Sequence, residues 1–293
     1  MLNDQAAGLR AMHSNQRNTS TGSDQPVRVI AVASGKGGVG KTNVSVNLGV
    51  SLSKLGHRVL LMDADMGLAN VDIMLGLQTK YNLSHVLDGH KTLQEVIVEG
   101  PAGLKIIPAA SGVRRMAQLS ALENAGIINA FSELNDDLDV LIIDTAAGIA
   151  DSVISFCRAA QEVVVVVTDE PASITDAYAL IKVLSRDYQL TRFRLLANQS
   201  RTPEQGKLLY EKLARVCEQF LDVSLDYFGS VPFDHDLRDA VQKQVPVTVY
   251  RPNSESAKAF NNLAQRVERW PIPRGVSGYL QFFVENLFQT GHQ

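Results

Sequence analysis

The chain has 293 residues, of which 45% are hydrophobic and 20% are charged, proportions typical of a soluble globular protein with a sizeable core. Its formal charge of −3 disfavours a strongly basic nucleic-acid-binding protein. No apolar stretch approaches the roughly 18 residues that mark a membrane-spanning helix. The two cysteines, Cys157 and Cys217, form no Cys-x-x-Cys pair, so we interpret both as core residues and not as metal ligands. We expect a cytoplasmic protein that makes no direct contact with nucleic acid.

The first 26 residues divide into a short helix and a linker. Asp4 is a good N-cap residue, and the Gln-Ala-Ala and Leu-Arg-Ala-Met that follow it predict a helix within residues 1–12. Residues 13–26 are rich in Ser, Thr, Asn and Gln, a composition typical of a flexible linker. About two turns of helix are marginal alone in water, so we expect this helix to be ordered only against a neighbour.

Residues 27–270 alternate between apolar β-branched runs and helical patterns. Near-continuous apolar strands suit a parallel sheet that is buried on both faces. This stretch therefore predicts one α/β domain, a doubly wound, mostly parallel sheet with helices on both faces. The predicted strands cover 27–33, 58–63, 104–108, 139–144, 162–168, 193–198 and 227–232. The predicted helices cover 42–55, 116–134, 151–160, 173–188, 203–220 and 254–269.

A phosphate-binding loop follows the first predicted strand. The stretch "GKGGVGKT" (35–42) fits G-x-x-x-x-G-K-[ST] and opens a helical pattern. Glycines are needed because backbone N–H groups must curl around phosphate oxygens, and the helix N-terminus adds partial positive charge. Lys41 is predicted to contact the β- and γ-phosphates, and the Thr42 hydroxyl to ligate Mg²⁺. The predicted cofactor-binding residues of this loop are Gly35, Lys36, Gly37, Gly38, Val39, Gly40, Lys41, Thr42 and Asn43.

The second lysine of this loop, Lys36, carries a family resemblance. The pattern K-G-G-x-G-K-T resembles the deviant Walker A motif of the MinD/ParA family of P-loop NTPases. In that family the early lysine crosses the dimer interface to the partner's nucleotide, so the resemblance implies a homodimer when ATP is bound. A second cation on the phosphates stabilises the charge that develops during phosphoryl transfer. The catalytic residues implied are Lys36, Lys41 and Asp65.

Two further stretches resemble the family's switch regions. The stretch "DADMGLANVD" (63–72) resembles switch I, and "DVLIIDTAAG" (139–148) resembles Walker B followed by switch II. The resemblance implies that Asp65 orients or deprotonates the attacking water. It also implies that Asp63 and Asp144 help Thr42 to hold Mg²⁺, and that Gly148 lets switch II respond to the γ-phosphate.

The resemblance places adenine beside Asn198, Pro232 and Asp234, which follow the last two predicted strands. An asparagine amide offers both a donor and an acceptor to a base edge. The sequence departs from the family at Asn43 and Ala146, where a Thr and a Pro are frequent. We expect slow ATP hydrolysis, because nothing in the sequence resembles an efficient arginine finger supplied by the same chain.

The C-terminal segment 276–289 predicts a strongly amphipathic helix, because its apolar side chains recur at helical spacing. It resembles the membrane-targeting helix of MinD, which implies weak membrane association. Residues 275–293 contain no Lys or Arg, so lipid binding would depend on apolar burial without attraction to anionic lipid. Packing on its own domain or on a partner protein is the alternative. The residues concerned are Tyr279, Leu280, Phe282, Phe283, Leu287 and Phe288.

The N-terminal stretch "DQAAGLR" (4–10) resembles the tag of FlhG proteins, also called FleN, and the stretch 144–184 resembles them as well. This resemblance implies a switch ATPase that sets flagellar number and placement, at the cell pole or the inner face of the cell membrane. The implied partners are the signal-recognition-type GTPase FlhF, which the tag stimulates, a FlrA/FleQ-type transcription regulator, and flagellar C-ring proteins. The implied tag residues are Asp4, Gln5, Ala6, Leu9 and Arg10.

Other functions fit parts of the same pattern. A MinD- or ParA-type ATPase would place the division site, DNA or cargo, and a ParA-like protein would bind DNA with salt-sensitive affinity, which the acidic balance disfavours. A P-loop metabolic ligase would turn over ATP only with its substrate and would not dimerise. An iron–sulfur carrier is disfavoured by the missing cysteine pairs.

Overall fold

The computed structural model describes residues 27–65, 70–109, 131, 134 and 138–271. The N-terminal tag, the linker and the C-terminal amphipathic segment lie outside these residues, as does most of the predicted helix 116–134. What the sequence predicts for those segments stays a prediction.

The strands of the described part form one sheet, which confirms the predicted doubly wound architecture. The strands are β1 (Arg28–Ser34), β2 (Val59–Ala64), β3 (Val98–Glu99), β4 (Lys105–Ile107), β5 (Val140–Ala147), β6 (Glu162–Val167), β7 (Arg192–Ser200) and β8 (Ser224–Pro232). Their order in the sheet is β3-β4-β2-β5-β1-β6-β7-β8. Every neighbouring pair is parallel except β3 and β4 at one edge. All seven predicted strands are present, and the two-residue edge strand β3 was not predicted.

The helices of the described part cover both faces of the sheet. They are α1 (Lys41–Lys54), α2 (Val71–Met74), α3 (Leu83–Leu87), α4 (Leu93–Val96), α5 (Asp151–Ala159), α6 (Pro171–Arg186), α7 (Pro203–Phe220), α8 (His235–Gln242), α9 (Val247–Tyr250) and α10 (Glu255–Glu268). The five predicted helices that fall on described residues correspond to α1, α5, α6, α7 and α10. Among these residues, none of the helices has the length and apolar character needed to cross a membrane.

The core shows why the strands are apolar without interruption. Ile30 and Val32 of β1 pack into a buried cluster with α1 and α10. Ala31 and Ala33 of the same strand point to the other face, where they join a cluster with α5, α6 and α7. Because both faces are covered, alternation of apolar and polar residues is not expected in this strand.

The strand order also determines where a ligand can bind. From β1 the chain continues to β2, which lies on one side of β1 in the sheet. From β5 it continues to β6, which lies on the other side of β1, so the direction of the connections reverses at β1 and β5. In open α/β sheets, ligands bind in the crevice at such a switch point, outside the carboxyl ends of the strands. The loops after β1, β2 and β5 all lie at this edge.

Two arginine side chains make contacts on the opposite side of the sheet, towards the amino ends of the strands. Arg28 donates to the carbonyl oxygens of Val267 (2.8 Å) and Trp270 (3.1 Å). Arg194 lies with its guanidinium carbon 3.9 Å from the centroid of the Trp270 ring and pairs with Glu162 at 2.7 Å. Arg28 thus ties β1, and Arg194 ties β7, to the end of α10, on the side of the sheet away from the crevice.

Candidate active site

Two adjoining cavities lie in the crevice at the carboxyl ends of the strands. The first has a volume of 730 Å³, and the second, of 410 Å³, continues past Gly40 and Asn43. The first is lined by Lys36, Gly37, Gly38, Val39, Gly40, Lys41, Thr42, Asn43 and Asp65, among others. The second is lined by Gly40, Asn43, Asn198, Pro232 and Asp234, among others. The structure thus brings residues from four separate predicted motifs to one site.

The loop after β1 has the backbone conformation that its glycines predict. Gly38 and Gly40 have φ angles of 81° and 85°, in the left-handed region that favours glycine. Gly40 is also the N-cap residue of α1, and loop residues line the same cavity as Lys41, Thr42 and Asn43 of the first helical turn. The backbone N–H groups of such a loop and helix N-terminus suit phosphate oxygens.

Gly35 is required for packing. A Cβ atom there would lie 2.1 Å from the carbonyl oxygen of Asp176 in α6, a main-chain contact that cannot be relieved by side-chain rotation. We expect Gly35→Ala to lower the free energy of unfolding by about 1–3 kcal/mol, the usual cost of overpacking. Thermal denaturation without nucleotide measures this. Gly37→Ala is the matched control, because among the described residues, its two chain neighbours aside, no atom lies within 4 Å of a Cβ at Gly37. Equal melting temperatures for the two variants would contradict the packing.

Asp144 is the centre of a buried hydrogen-bonded cluster at the end of β5. Its Oδ1 atom accepts from Lys41 Nζ at 2.9 Å and from Ser45 Oγ at 2.8 Å, and its Oδ2 atom accepts from Thr42 Oγ1 at 2.7 Å. Asp144 is fully buried and Lys41 is 7% exposed. Ser45 was not predicted, although it lies four residues after Lys41 and therefore on the same face of α1.

Asp63 lies beside Asp144 and holds the loop after β2. The two aspartates are register partners in neighbouring parallel strands. The Asp63 carboxylate accepts the backbone N–H groups of Asp65 (3.0 Å), Asn70 (3.1 Å) and Val71 (3.2 Å). Burial raises the pKa of Asp63 to about 6, and the negative charge of Asp144 adds to the increase in spite of the three N–H donors. Two buried neighbouring carboxylates with a threonine hydroxyl form a donor set that suits Mg²⁺.

Lys36, in contrast to Lys41, lies at the surface. Its Nζ atom is 2.9 Å from Oε2 of Glu170, the residue before α6, and the two side chains are 38% and 59% exposed. Gly148 of the predicted switch II has a φ angle of 96° and donates its N–H to the carbonyl of Ser34 at 2.8 Å. The loop after β5 therefore contacts the last residue of β1, directly before the phosphate loop.

Asn198 connects the phosphate loop with the second cavity. Its Nδ2 atom donates to the carbonyl of Val39 at 2.7 Å. Its Oδ1 atom is buried and accepts no hydrogen bond from the residues that the structure describes. A buried acceptor without a donor is costly, so this atom suits a ligand that supplies an N–H group, as the amino group of adenine does.

Asp234 has a structural function that the sequence did not predict. Its Oδ1 atom accepts from the N–H of Asp236 at 2.9 Å, and its Oδ2 atom accepts from the N–H and the hydroxyl of Ser256 at 3.0 and 2.6 Å. Burial by itself would raise the pKa of Asp234, but these hydrogen bonds hold it below its usual value. The carboxylate caps the N-terminus of α8 and links it by hydrogen bonds to α10. Asp234 also lines the second cavity.

Comparisons with known proteins agree with this site. The ParA family model, described as NUBPL iron-transfer P-loop NTPase, matches residues 25–268. The antiactivator FleN of Pseudomonas aeruginosa is 56% identical over 92% of this chain and 96% of its own. The flagellum site-determining protein YlxH of Helicobacter pylori is 36% identical over 81% of this chain and 80% of its own. The chain belongs to the FlhG/FleN family.

The FlhG/FleN chain also resembles solved structures of the wider MinD group. MinD from Pyrococcus horikoshii, solved with Mg-ADP, aligns with a TM-score of 0.65 and 25% identity, over 83% of this chain and 96% of its own. The protein is a MinD/ParA-type ATPase that uses ATP, ADP and Mg²⁺. Three features fit these cofactors: the loop glycines, the buried Asp63–Asp144 pair, and the Oδ1 atom of Asn198, which has no donor among the described residues.

Proposed function

We propose that this FlhG/FleN chain is a switch that dimerises with ATP and controls the number and placement of flagella. The observation that best supports this switch is the difference in burial and in ion-pair partner between the two loop lysines. The Lys41 side chain is 8% exposed and bonded to buried Asp144, whereas the Lys36 side chain is 38% exposed and held by a surface carboxylate. Lys41 is placed to act on its own nucleotide, and Lys36 can turn outward to the nucleotide of a second subunit.

The positions of the remaining site residues support the following roles. Lys41 and the N–H groups of the loop hold the phosphates, and Thr42, Asp63 and Asp144 are the candidates to hold Mg²⁺ directly or through water. Bound Mg²⁺ neutralises phosphate charge during transfer. Asp65 lines the same cavity at the end of β2, where its carboxylate can orient the attacking water or take its proton. Asn198 reads adenine through its Oδ1 atom, which accepts no hydrogen bond from the described part of the chain.

The flagellar function draws on the named relatives. One relative is called an antiactivator and another a flagellum site-determining protein, and both match most of this chain. We infer that this chain restrains a FlrA/FleQ-type transcription regulator and, through Asp4–Arg10, stimulates the FlhF GTPase. Contact with C-ring proteins and weak association of segment 276–289 with the membrane or a partner protein belong to the same proposal.

A peptide assay tests the partner of the N-terminal tag. A peptide covering Met1–Gln16 is expected to raise the GTPase rate of FlhF, and Gln5→Ala in that peptide to lower the stimulated rate about tenfold, because Gln5 is the tag residue suited to orient water or phosphate. Gln16→Ala is the matched control, since it removes the same side chain from the linker. Absence of stimulation by the intact peptide would contradict the partnership with FlhF. It would not bear on the conclusion that the chain is an ATPase.

A further inference from the structure

Glu170 forms an ion pair with Lys36, the lysine on which the proposed dimer depends. We propose that Glu170 is a lock that keeps Lys36 on its own subunit until a second subunit with bound nucleotide competes for it. The inference rests on the proposed dimer and adds to it a residue that adjusts how easily the dimer forms.

The backbone of Glu170 is held by its own loop, and the preceding residue of that loop contacts α7. Its N–H donates to the carbonyl of Thr168 at 2.8 Å, and the N–H of Thr168 donates to Ser173 Oγ at 3.0 Å. The neighbouring Asp169 accepts from Gln205 Nε2 at 2.7 Å and lies 3.6 Å from Lys212 Nζ, both on α7. Because the loop is anchored at several points, the backbone of Glu170 is fixed beside Lys36, and only the two side chains have to be ordered to form the ion pair.

The backbone of Lys36 is fixed as well. The Ser34 hydroxyl donates to the Lys36 carbonyl at 3.0 Å, and Gly35 packs against the main chain of α6. The phosphate loop and the loop of Glu170 therefore cannot separate without disturbing a close contact. Release of Lys36 then needs rotation of its side chain and loss of the ion pair, and no refolding of the loop.

The size of the effect follows from the exposure of the pair. Exposed ion pairs change an equilibrium by a factor of roughly 1.5 to 5, and a symmetric dimer breaks two of them. Removing the lock should therefore tighten the nucleotide-bound dimer by about 2- to 25-fold. Salt screens exposed charges, so the gain should shrink as ionic strength rises.

Glu170→Gln tests the lock, because the amide keeps the size of the side chain and loses its charge. The dimer dissociation constant is measured by sedimentation with Mg²⁺ and a non-hydrolysable ATP analogue, at low and high salt. We expect Glu170→Gln to dimerise about 2- to 25-fold more tightly than wild type at low salt and to bind the analogue as monomer with unchanged affinity. Glu255→Gln is the matched control, since it breaks an exposed pair with Lys258 of the same 2.9 Å length away from the phosphate loop.

Each other outcome contradicts the proposal at a different point. Unchanged dimerisation of Glu170→Gln would show that the pair does not restrain Lys36, and weaker dimerisation would place Glu170 in the dimer contact instead. A gain that high salt leaves unchanged would exclude release of an ion pair as its cause. A wild-type protein that stays monomeric with the analogue would overturn the proposed switch, and the lock with it.

Discussion

Asp65→Ala is expected to bind Mg-ATP as tightly as the wild type and to hydrolyse it at least about 100-fold more slowly. The carboxylate lines the phosphate cavity beyond the end of β2, where it can act on water. The loop itself should keep its position, because Asp65 is fastened to Asp63 through its backbone N–H, which alanine also has. Equilibrium nucleotide binding and the rate of phosphate release check the two halves of this result.

Asp72→Ala is the matched control for this variant. Asp72 belongs to the same predicted switch, but its carboxylate accepts from the N–H of Ile73 at 2.8 Å, beside the cavity and not in its lining. We expect it to hydrolyse ATP at nearly the wild-type rate. Equal rates for Asp65→Ala and the wild type would exclude Asp65 from hydrolysis.

Lys41→Ala is expected to abolish ATP binding and also to destabilise the protein without nucleotide. Removal of one partner from a buried ion pair typically costs about 3–5 kcal/mol, because the other charge stays buried without compensation. The Thr42 and Ser45 hydroxyls still donate to Asp144, so we expect a loss near 3 kcal/mol. Urea unfolding in the absence of nucleotide measures this loss.

Lys36→Ala provides the contrast. Its ion pair is exposed, so we expect the free energy of unfolding to change by less than about 1 kcal/mol and the monomer to keep its affinity for ATP. Equal stability of Lys41→Ala and Lys36→Ala would contradict the different roles assigned to the two lysines.

The parts of the site that could be predicted depend on local patterns. The glycine spacing of the loop 35–42 predicts phosphate binding, and Asp144 follows an uninterrupted apolar stretch. Because both follow parallel neighbouring strands, they lie at the same end of the sheet. In long helices such as α6 and α7, the apolar residues recur with a clear period of about 3.6 residues. The four- and five-residue helices α2, α3, α4 and α9 are too short to show one, and these helices were missed together with the eight-residue α8.

The remaining parts of the site depend on contacts between distant segments. Glu170 lies 134 residues from Lys36, and no spacing rule connects them. Asp234 was expected beside adenine because of its motif, whereas its hydrogen bonds to Ser256 follow from how α10 packs against α8. The backbone donors of Asp63 likewise depend on the path of the loop after β2. Tertiary packing of this kind is not readable from sequence periodicity.

The most direct test of the switch is the mass in solution of Asp65→Ala with Mg-ATP and with Mg-ADP, measured by light scattering during size-exclusion chromatography. We predict twice the monomer mass with ATP, because the variant binds ATP without consuming it, and the monomer mass with ADP. A monomer in both nucleotides, or one mass that does not depend on the nucleotide, would contradict an ATP-driven dimer.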